Sequence, residues 1–283
     1  MPVLVPTSLD QAVSALAGAP DALVLAGGTD VMVEVNAGHR RPDTVIAVNR
    51  VPELRTWTYD PAAKTVRIGA AVSYAELMDP PLSDLVPALA QASRTVGSPQ
   101  IRHAGTLGGN LGTCSPAGDG LPVLSALDAQ VHVSGPVGDR SLSIHDFMVG
   151  VKRTALQPGE LITAVSVPVL TGWQGYTKVG VRNAMVIALA TACLAVDEES
   201  RTVRLAIGSV APTIVRCRDA EALAGLGVEF ERHLATAGLV EQFGEMAAAA
   251  SRPIDDHRAS AAYRRQAIKV LSSRLLRRAF PND

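Results

Sequence analysis

Two glycine-rich segments of this chain carry the residue types that bind phosphate groups. The longer segment, residues 104–119, combines several glycines with small hydroxyl side chains and one carboxylate. The shorter segment, residues 25–30, follows an apolar run with a Gly-Gly pair and a Thr-Asp pair. Because glycine has no Cβ, successive backbone N–H groups in such loops can converge on an anion. Two loops of this kind predict a pyrophosphate that is held from two sides.

The composition requires any anion site to be built locally. Of the 283 residues, 47% are hydrophobic and 4% are aromatic, and the formal net charge is −1. Such a chain forms a globular protein with a large core, as one large domain or two to three small ones. A nearly neutral chain has no overall field that attracts nucleic acid or an anionic membrane. We therefore expect no nucleic acid partner and no membrane insertion.

The cysteines and histidines exclude several redox centres. Cys114, Cys193 and Cys217 include no Cys-x-x-Cys pair, and the six histidines show no metal-ligand spacing. This pattern encodes neither an iron–sulfur or zinc site nor a disulfide framework. Redox chemistry on this chain would need an organic cofactor and no metal. The lack of a signal peptide and of any run of ~18 apolar residues predicts a soluble, cytoplasmic protein.

Helices and strands must position the two glycine-rich segments. Capping-box spacing at Ser8 and at Ser73 predicts two helix starts. Apolar runs or alternation predict strands at residues 22–25, 43–48, 65–69, 130–133 and 162–167. Several of these strands lie too close in sequence for parallel crossovers, which favours an α+β fold.

The pattern changes after residue 175. Three closely spaced strands predict an antiparallel meander, and a helical region follows. The predicted strands cover residues 176–181, 185–196 and 203–210, and the predicted helices cover residues 219–226, 230–250 and 258–279. We therefore expect three domains, at residues 1–54, 55–172 and 173–283.

The order of these motifs resembles the FAD-binding (medium) subunit of the molybdenum hydroxylases, the family of xanthine dehydrogenase and carbon monoxide dehydrogenase. The segments that carry the resemblance are Leu25-Ala26-Gly27-Gly28-Thr29-Asp30, Gln100-Ile101-Arg102-His103-Ala104-Gly105-Thr106-Leu107-Gly108-Gly109-Asn110, Asp119, Lys178, Val210-Ala211-Pro212-Thr213 and Ser260-Ala261-Ala262-Tyr263-Arg264-Arg265. The resemblance covers nearly the whole chain. It implies a vanillyl-alcohol-oxidase-type (PCMH) FAD-binding domain of two α+β subdomains, followed by a three-stranded antiparallel sheet with helices.

The resemblance also assigns roles to residues. It implies two sets of residues that hold the pyrophosphate from opposite sides: Ala26, Gly27, Gly28, Thr29, Asp30 and Val31, and Thr106, Gly108, Gly109 and Asn110. Leu25 is implied as a further cofactor-binding residue. A carboxylate repels phosphate, so Asp119 is expected to accept hydrogen bonds from the ribose hydroxyls or the adenine amine. Val96 and Ile162 match apolar positions at the flavin ring, and Lys178 matches a lysine near it.

In that family, substrate is hydroxylated at molybdopterin on a large subunit, and electrons cross two 2Fe–2S clusters on a small subunit. The resemblance implies that FAD on this chain passes those electrons to an external acceptor, with NAD among the candidates. No catalytic acid or base is then needed here. We expect a heterotrimer subunit of the xanthine dehydrogenase type.

Two other functions remain open from the residues alone. One is a self-contained FAD-dependent oxidase or reductase, and the other is a non-enzymatic nucleotide-binding assembly module. The sequence also departs from xanthine-type relatives, since Val186 follows Met185 where they often carry an acidic residue. His103 and Cys114 beside the second segment are interpreted as structural residues, and the basic terminal helix as a solvated face or a docking surface.

Overall fold

The computed structural model describes residues 2–281 and divides them into two units. The first unit contains residues 2–77, 98–114 and 128–168, and the second contains residues 78–97, 115–127 and 169–281. Each unit is therefore assembled from three separate stretches of chain.

The strands of the described residues are, in chain order, β1 (Val3–Leu4), β2 (Leu23–Leu25), β3 (Val45–Ala47), β4 (Trp57–Asp60), β5 (Thr65–Gly69), β6 (Gln130–Gly135), β7 (Gly138–Ser143), β8 (Met148–Gly150), β9 (Arg153–Thr154), β10 (Leu161–Pro168), β11 (Gln174–Val179), β12 (Ala190–Asp197), β13 (Thr202–Gly208) and β14 (Val215–Arg216).

The α-helices are α1 (Leu9–Gly18), α2 (Val31–Asn36), α3 (Leu82–Leu85), α4 (Pro87–Arg94), α5 (Pro99–Ala104), α6 (Leu107–Thr113), α7 (Gly120–Ala126), α8 (Ile144–Phe147), α9 (Arg218–Gly227), α10 (Ala237–Ala250) and α11 (Ala261–Ala279). Short 3₁₀ helices cover Val48–Arg50, Pro52–Arg55 and Glu76–Met78.

The first unit contains a small parallel sheet and a larger antiparallel sheet. The parallel sheet has the order β1-β3-β2, and the antiparallel sheet has the order β4-β5-β10-β6-β7. Helix α1 begins where the Ser8 hydroxyl accepts the Gln11 N–H, as the capping-box spacing predicts. Its Ala12 and Leu16 are buried in a cluster with Ile46 of β3.

The Ser73 capping box forms but does not begin an α-helix. The Ser73 hydroxyl accepts the Glu76 N–H, and Glu76 in return accepts from the Ser73 N–H and hydroxyl. The helix that follows is a single 3₁₀ turn, Glu76–Met78. The prediction of a regular helix here was wrong, because the chain after Met78 reaches Pro80 and Pro81, which cannot donate the next backbone bonds.

The second unit contains an antiparallel sheet of order β11-β12-β13-β14 with helices α9, α10 and α11. The predicted meander is confirmed in β11, β12 and β13. The sheet has four strands rather than three, because Val215 and Arg216 pair with β13. A two-residue strand leaves no alternation that a sequence pattern can reveal.

Two predicted elements of the second unit begin at least five residues later than expected. The strand predicted from residue 185 begins at Ala190, since Arg182 bonds the carbonyls of Ala184 and Met185 in an irregular loop. The helix predicted from residue 230 begins at Ala237, where Thr236 accepts the Leu239 N–H. Local hydrogen bonds to side chains and carbonyls therefore set both boundaries.

The terminal helix α11 is anchored by a buried arginine. Arg264 donates to the carbonyls of Leu189 and Ser209 at 2.7 and 3.0 Å and to both oxygens of Asp256 at 2.9 Å. The N–H groups of Arg258 and Ala259, with the Arg264 guanidinium, lower the pKa of Asp256 to about 2. This network ties the first turn of α11, within the segment 260–265, to the loops after β13 and before α11.

Candidate functional site

The first glycine loop, residues 25–31, lies where a parallel strand ends. Strand β2 stops at Leu25, the chain turns at Gly28 with φ +72°, and helix α2 begins at Val31. Glycine suits that left-handed backbone conformation because it has no Cβ to clash. Ligands of α/β units bind outside the carboxyl ends of parallel strands, so this position suits a ligand loop.

Backbone donors of this first loop are left open. Within residues 2–281, the N–H groups of Gly27, Gly28, Thr29, Asp30 and Val31 have no protein acceptor. Successive open N–H groups around a left-handed residue form a concavity that attracts anions. The predicted phosphate-binding chemistry of the first loop therefore has its donors available.

The two glycine loops meet through Gly27. A Cβ built on Gly27 would overlap the carbonyl oxygen of Ala104 and stand 3.0 Å from the Gly105 nitrogen. On the other side, a Cβ on Gly105 would lie 3.2 Å from the Thr29 hydroxyl oxygen. Both glycines are thus required for the contact between the loops. The sequence pattern indicates glycines that let a ligand approach, and the structure gives them a packing role as well.

The second glycine loop, residues 104–110, uses its backbone donors within the protein. The N–H groups of Leu107 and Gly108 donate to the carbonyls of Val72 and Ala70 at 3.1 and 2.8 Å. The Gly109 N–H donates to the Thr106 hydroxyl oxygen at 3.0 Å, and the next N–H donates to the Thr106 carbonyl. The expectation that successive N–H groups of this loop converge on an anion was therefore wrong, because helix α6 and the carbonyls of Ala70 and Val72, which follow β5, accept these N–H groups.

The second loop instead offers one hydroxyl and a bare helix face. The Thr106 oxygen caps α6 as an acceptor, so its hydrogen is left for another acceptor. Gly109 and Gly112 are exposed, and a Cβ on Gly112 would meet only Ile162, at 3.9 Å. Gly108 differs, because its Cβ would stand 2.6 Å from Ala70. The open surface of α6 therefore lies along Gly109 and Gly112.

The ends of the two short helices are also joined. The Thr113 hydroxyl at the end of α6 donates to Asp30 at 2.9 Å, and Lys152 forms an ion pair with Glu34 of α2 at 2.8 Å. Asn110 is half-buried on α6, and Ile162 is buried in β10 beneath it. These contacts fix α2 and α6 within the first unit.

A polar cavity of about 210 Å³ lies where the loops meet. Its lining includes one permanent cation and several neutral hydrogen-bonding side chains, and it contains no aspartate or glutamate. The lining residues are Ala26, Gly27, Asn49, Arg55, Ala71, Ser73, His103, Ala104 and Thr106. The Ser73 hydroxyl is already committed to Glu76. A cavity with these donors favours a small anionic group.

Three other predicted site residues, Val96, Asp119 and Lys178, lie in the second unit. Asp119 accepts from the Tyr176 hydroxyl at 2.7 Å and from the Lys178 ammonium at 2.8 Å. The side chains of Asp119 and Lys178 are only 9% and 8% exposed. We call Asp119, Tyr176 and Lys178 the buried charged cluster. Its carboxylate is already paired, although a carboxylate has lone pairs for further donors.

Helix α4 and strand β11 hold the buried charged cluster. Lys178 also donates to the Thr95 carbonyl at 3.2 Å, next to the half-buried Val96, and Gln91 accepts the Tyr176 N–H at 2.9 Å. Burial raises the pKa of Asp119, with the Lys178 ammonium and the Tyr176 hydroxyl opposing it. Burial and the nearby Asp119 carboxylate raise the pKa of Tyr176 well above its ordinary value. The phenol is therefore a hydrogen-bond donor to Asp119 at neutral pH.

Several lining residues were absent from the predicted site. Asn49 and Arg55 belong to the 3₁₀ turns after strand β3, whose carboxyl end lies beside that of β2. The sequence signal that could have found them is their position after a parallel strand. His103, interpreted as structural, is exposed and lines the cavity, whereas Cys114 is buried with a raised pKa. Tyr176 carried no separate signal.

Comparisons with known proteins agree with these features. A family model described as the FAD binding domain in molybdopterin dehydrogenase matches residues 1–170, and one described as the CO dehydrogenase flavoprotein C-terminal domain matches residues 175–279. The chain belongs to the FAD-binding subunits of the molybdenum hydroxylases. It is thus a subunit of a flavin-dependent oxidoreductase, with FAD as its cofactor.

Individual relatives of this FAD-binding subunit cover nearly the whole chain. It is 32% identical over 269 residues to the glyceraldehyde dehydrogenase medium chain of Sulfolobus acidocaldarius, which covers 94% of this chain and 93% of the relative. It is 30% identical over 267 residues to the carbon monoxide dehydrogenase medium chain of Hydrogenophaga pseudoflava, with coverage of 92% and 90%.

Solved structures share the fold of this FAD-binding subunit. Carbon monoxide dehydrogenase from Hydrogenophaga pseudoflava matches with a TM-score of 0.87 at 28% identity, covering 99% of this chain and 96% of that chain. Reconstituted CO dehydrogenase from Oligotropha carboxidovorans matches with a TM-score of 0.90 at 25% identity, with coverage of 100% and 98%. The implied FAD-binding fold is confirmed. No helix within residues 2–281 has the length and apolar character to cross a membrane.

Proposed function

We propose that this chain holds FAD and passes electrons from iron–sulfur clusters on a partner subunit to an external acceptor. The partners would be a large molybdopterin subunit and a small iron–sulfur subunit. The observation that carries the proposal is the meeting of two glycine loops at a polar cavity, in a chain of a flavoprotein family. We also propose the division into domains at residues 1–54, 55–172 and 173–283.

The residues of the cavity fit the pyrophosphate of FAD. Two phosphate charges need several donors, and the first loop offers open N–H groups beside Gly27 and Gly28. The Thr106 hydroxyl adds a donor from the second loop. We therefore propose that Leu25, Ala26, Gly27, Gly28, Thr29, Asp30, Val31, Thr106, Gly108, Gly109 and Asn110 surround the pyrophosphate. The role of Gly108 is indirect. Its lack of a Cβ lets helix α6 pack closely against Ala70.

The remaining predicted contacts keep their assignment as proposals. Ile162 and Val96 are proposed at the flavin ring, Asp119 at the ribose or adenine, and Lys178 near the ring. When bound, FAD supplies the electron-carrying chemistry that amino-acid side chains lack. This chain's own residues bind and orient it, so no side chain is assigned as a catalytic acid or base.

The substrate of the complex would be oxidised on the partner. Relatives of this chain are named for different substrates, including the FAD-binding subunit of a putative xanthine dehydrogenase of Escherichia coli, which is 30% identical over 76% of this chain. That relative supports our proposal of a xanthine dehydrogenase-type complex, with NAD as a candidate acceptor.

The experiment purifies the tagged full chain from its own cells and quantifies FAD, molybdenum and iron in the product. We expect molybdenum and iron to accompany FAD, and the flavin to be reduced by substrate only when the partners are present. Reduction of the flavin by substrate with the chain alone would instead identify a self-contained oxidase or reductase. A folded chain that copurifies without flavin would contradict the proposal.

A further inference from the structure

One cation of the cavity, Arg55, belongs to neither glycine loop. It ends the 3₁₀ helix Pro52–Arg55 and lines the same cavity as Gly27 and Thr106. Arg55 supplies a formal positive charge. The backbone N–H groups and hydroxyls of the loops are hydrogen-bond donors without such a charge. We infer that Arg55 is a phosphate-binding residue of the FAD site. This inference rests on the proposed function.

The backbone on both sides of Arg55 is fixed to the first unit. Leu54 is buried, and its carbonyl accepts the Ala71 N–H at 2.7 Å. The Thr56 carbonyl accepts the Gly69 N–H at 2.9 Å. Since Ala71 itself lines the cavity, these two bonds hold the Arg55 backbone at the cavity wall. The Arg55 backbone is therefore fixed by neighbours on both sides, and its exposed side chain extends from that fixed point.

The guanidinium of Arg55 has spare donors and no counter-ion. Its one hydrogen bond is to the Asn49 carbonyl, at 3.4 Å, and no carboxylate among residues 2–281 lies within 4.0 Å of it. An arginine carries five N–H donors and stays charged at any physiological pH. Since the cavity lining holds no acid, the Arg55 guanidinium is the permanent formal charge among its side chains.

A phosphate group matches what Arg55 leaves unsatisfied. Its oxygens accept two parallel N–H bonds from one guanidinium, while the adjacent open N–H groups of the first loop bind from another direction. A riboflavin moiety offers no such anion. The inference therefore predicts that Arg55 distinguishes FAD from flavins without phosphate.

The test uses the full chain, freed of flavin and then titrated with FAD or with riboflavin. Arg55→Gln keeps length and polarity but removes the charge, and the matched control is Arg50→Gln, an exposed arginine of the neighbouring 3₁₀ turn that does not line the cavity. We expect Arg55→Gln to raise the Kd for FAD by about 10- to 100-fold and to leave that for riboflavin unchanged. Arg55→Lys should recover part of the loss, since it restores charge without the bidentate geometry.

Three outcomes would overturn the inference. One is an Arg55→Gln variant that binds FAD as tightly as Arg50→Gln does. Another is an equal loss of FAD and riboflavin affinity, since that would mark a structural role. The third is a flavin-free Arg55→Gln chain whose melting temperature is so much lower that destabilisation of the fold accounts for the loss of FAD affinity. Failure of the unsubstituted folded chain to bind FAD would be a separate result, and it would contradict the proposed function itself.

Discussion

The cavity of the first unit and the buried charged cluster of the second unit treat their polar groups in opposite ways. Around the cavity, the N–H groups of residues 27–31 have no acceptor within residues 2–281, and the Arg55 guanidinium makes one hydrogen bond, to the Asn49 carbonyl at 3.4 Å. In the cluster, Asp119 is buried and already accepts from Tyr176 and Lys178. Resemblance assigns both regions to FAD. The first loop at the cavity leaves successive backbone donors open within residues 2–281, whereas the carboxylate of the cluster is already paired inside the second unit.

This difference teaches how a binding motif should be weighed. A donor without a protein partner costs the folded protein little free energy while water solvates it, and it adds binding free energy when a ligand accepts its hydrogen bond. Such a donor therefore indicates a ligand site. A buried carboxylate paired with an ammonium also holds its own unit together. Changes at the cavity should therefore alter FAD affinity and leave the flavin-free fold intact, and changes in the cluster should alter the fold first.

The largest expected effect is that of Asp119→Ala on stability. Removing the carboxylate leaves the Lys178 ammonium buried without its partner, and such losses cost about 3–5 kcal/mol of unfolding free energy. Urea denaturation of the flavin-free chain measures this change. The additional Lys178→Met substitution should recover part of it, because the unpaired charge is then gone.

The control for that variant is Glu231→Ala, which breaks the exposed ion pair with Arg201. Exposed ion pairs contribute little to stability, so the unfolding free energy of the control should be close to that of the unsubstituted chain. If Asp119→Ala were no less stable than this control, the cluster would not hold the second unit together. A drop of about 1–3 kcal/mol in FAD affinity for the folded variant would support the proposed nucleoside contact of Asp119.

Tyr176→Phe removes one donor of the same cluster and keeps the ring in place. The Tyr176 hydroxyl donates to the Asp119 carboxylate at 2.7 Å, and a hydrogen bond to a charged group is worth about 1.5–3 kcal/mol. We expect the unfolding free energy of the flavin-free chain to decrease by about 1.5–3 kcal/mol. The exposed Tyr263→Phe offers a matched control. Equal stability of the two variants would show that the hydrogen bond from Tyr176 to Asp119 does not stabilise the fold.

Gly109→Val tests the open face of helix α6. A Cβ there would stand 3.1 Å from the Thr106 hydroxyl oxygen, the one atom within 4 Å, so this hydroxyl has to shift slightly and the melting temperature of the flavin-free variant is measured first. Added atoms at a packed contact cost about 1–3 kcal/mol, which predicts FAD binding that is weaker by about 5- to 150-fold. Equilibrium titration with FAD measures this loss.

The matched control for Gly109→Val is Gly238→Val. Gly238 also lies exposed in the first turn of a helix, α10, and a Cβ there would meet nothing within 4 Å. Its FAD affinity should equal that of the unsubstituted chain. Unchanged FAD affinity in Gly109→Val would exclude α6 from the pyrophosphate contacts and leave that role to the first loop and Arg55.

Local signals explain what the sequence predicted well. The Ser8 cap of α1, the α+β composition and the C-terminal meander were all predicted from neighbouring residues. The family resemblance added FAD and the identity of the fold, both of which the comparisons confirm.

Long-range contacts explain what the sequence did not predict. The N–H groups of the second loop looked available, but the carbonyls of Ala70 and Val72 accept from Gly108 and Leu107, more than thirty residues apart in sequence. Likewise, the distant Tyr176 determines how Asp119 is paired. No local pattern reveals an acceptor that the tertiary fold supplies.

The most direct test of the central claim is the flavin content of the full chain after reconstitution. The folded chain is freed of flavin, incubated with FAD, separated from free cofactor, and its absorption spectrum is recorded against its protein concentration. Our account predicts one FAD per chain in the unsubstituted protein and in Gly238→Val, and a clearly lower content in Gly109→Val. A folded chain that retains no FAD, or a Gly109→Val variant with full content, would contradict it.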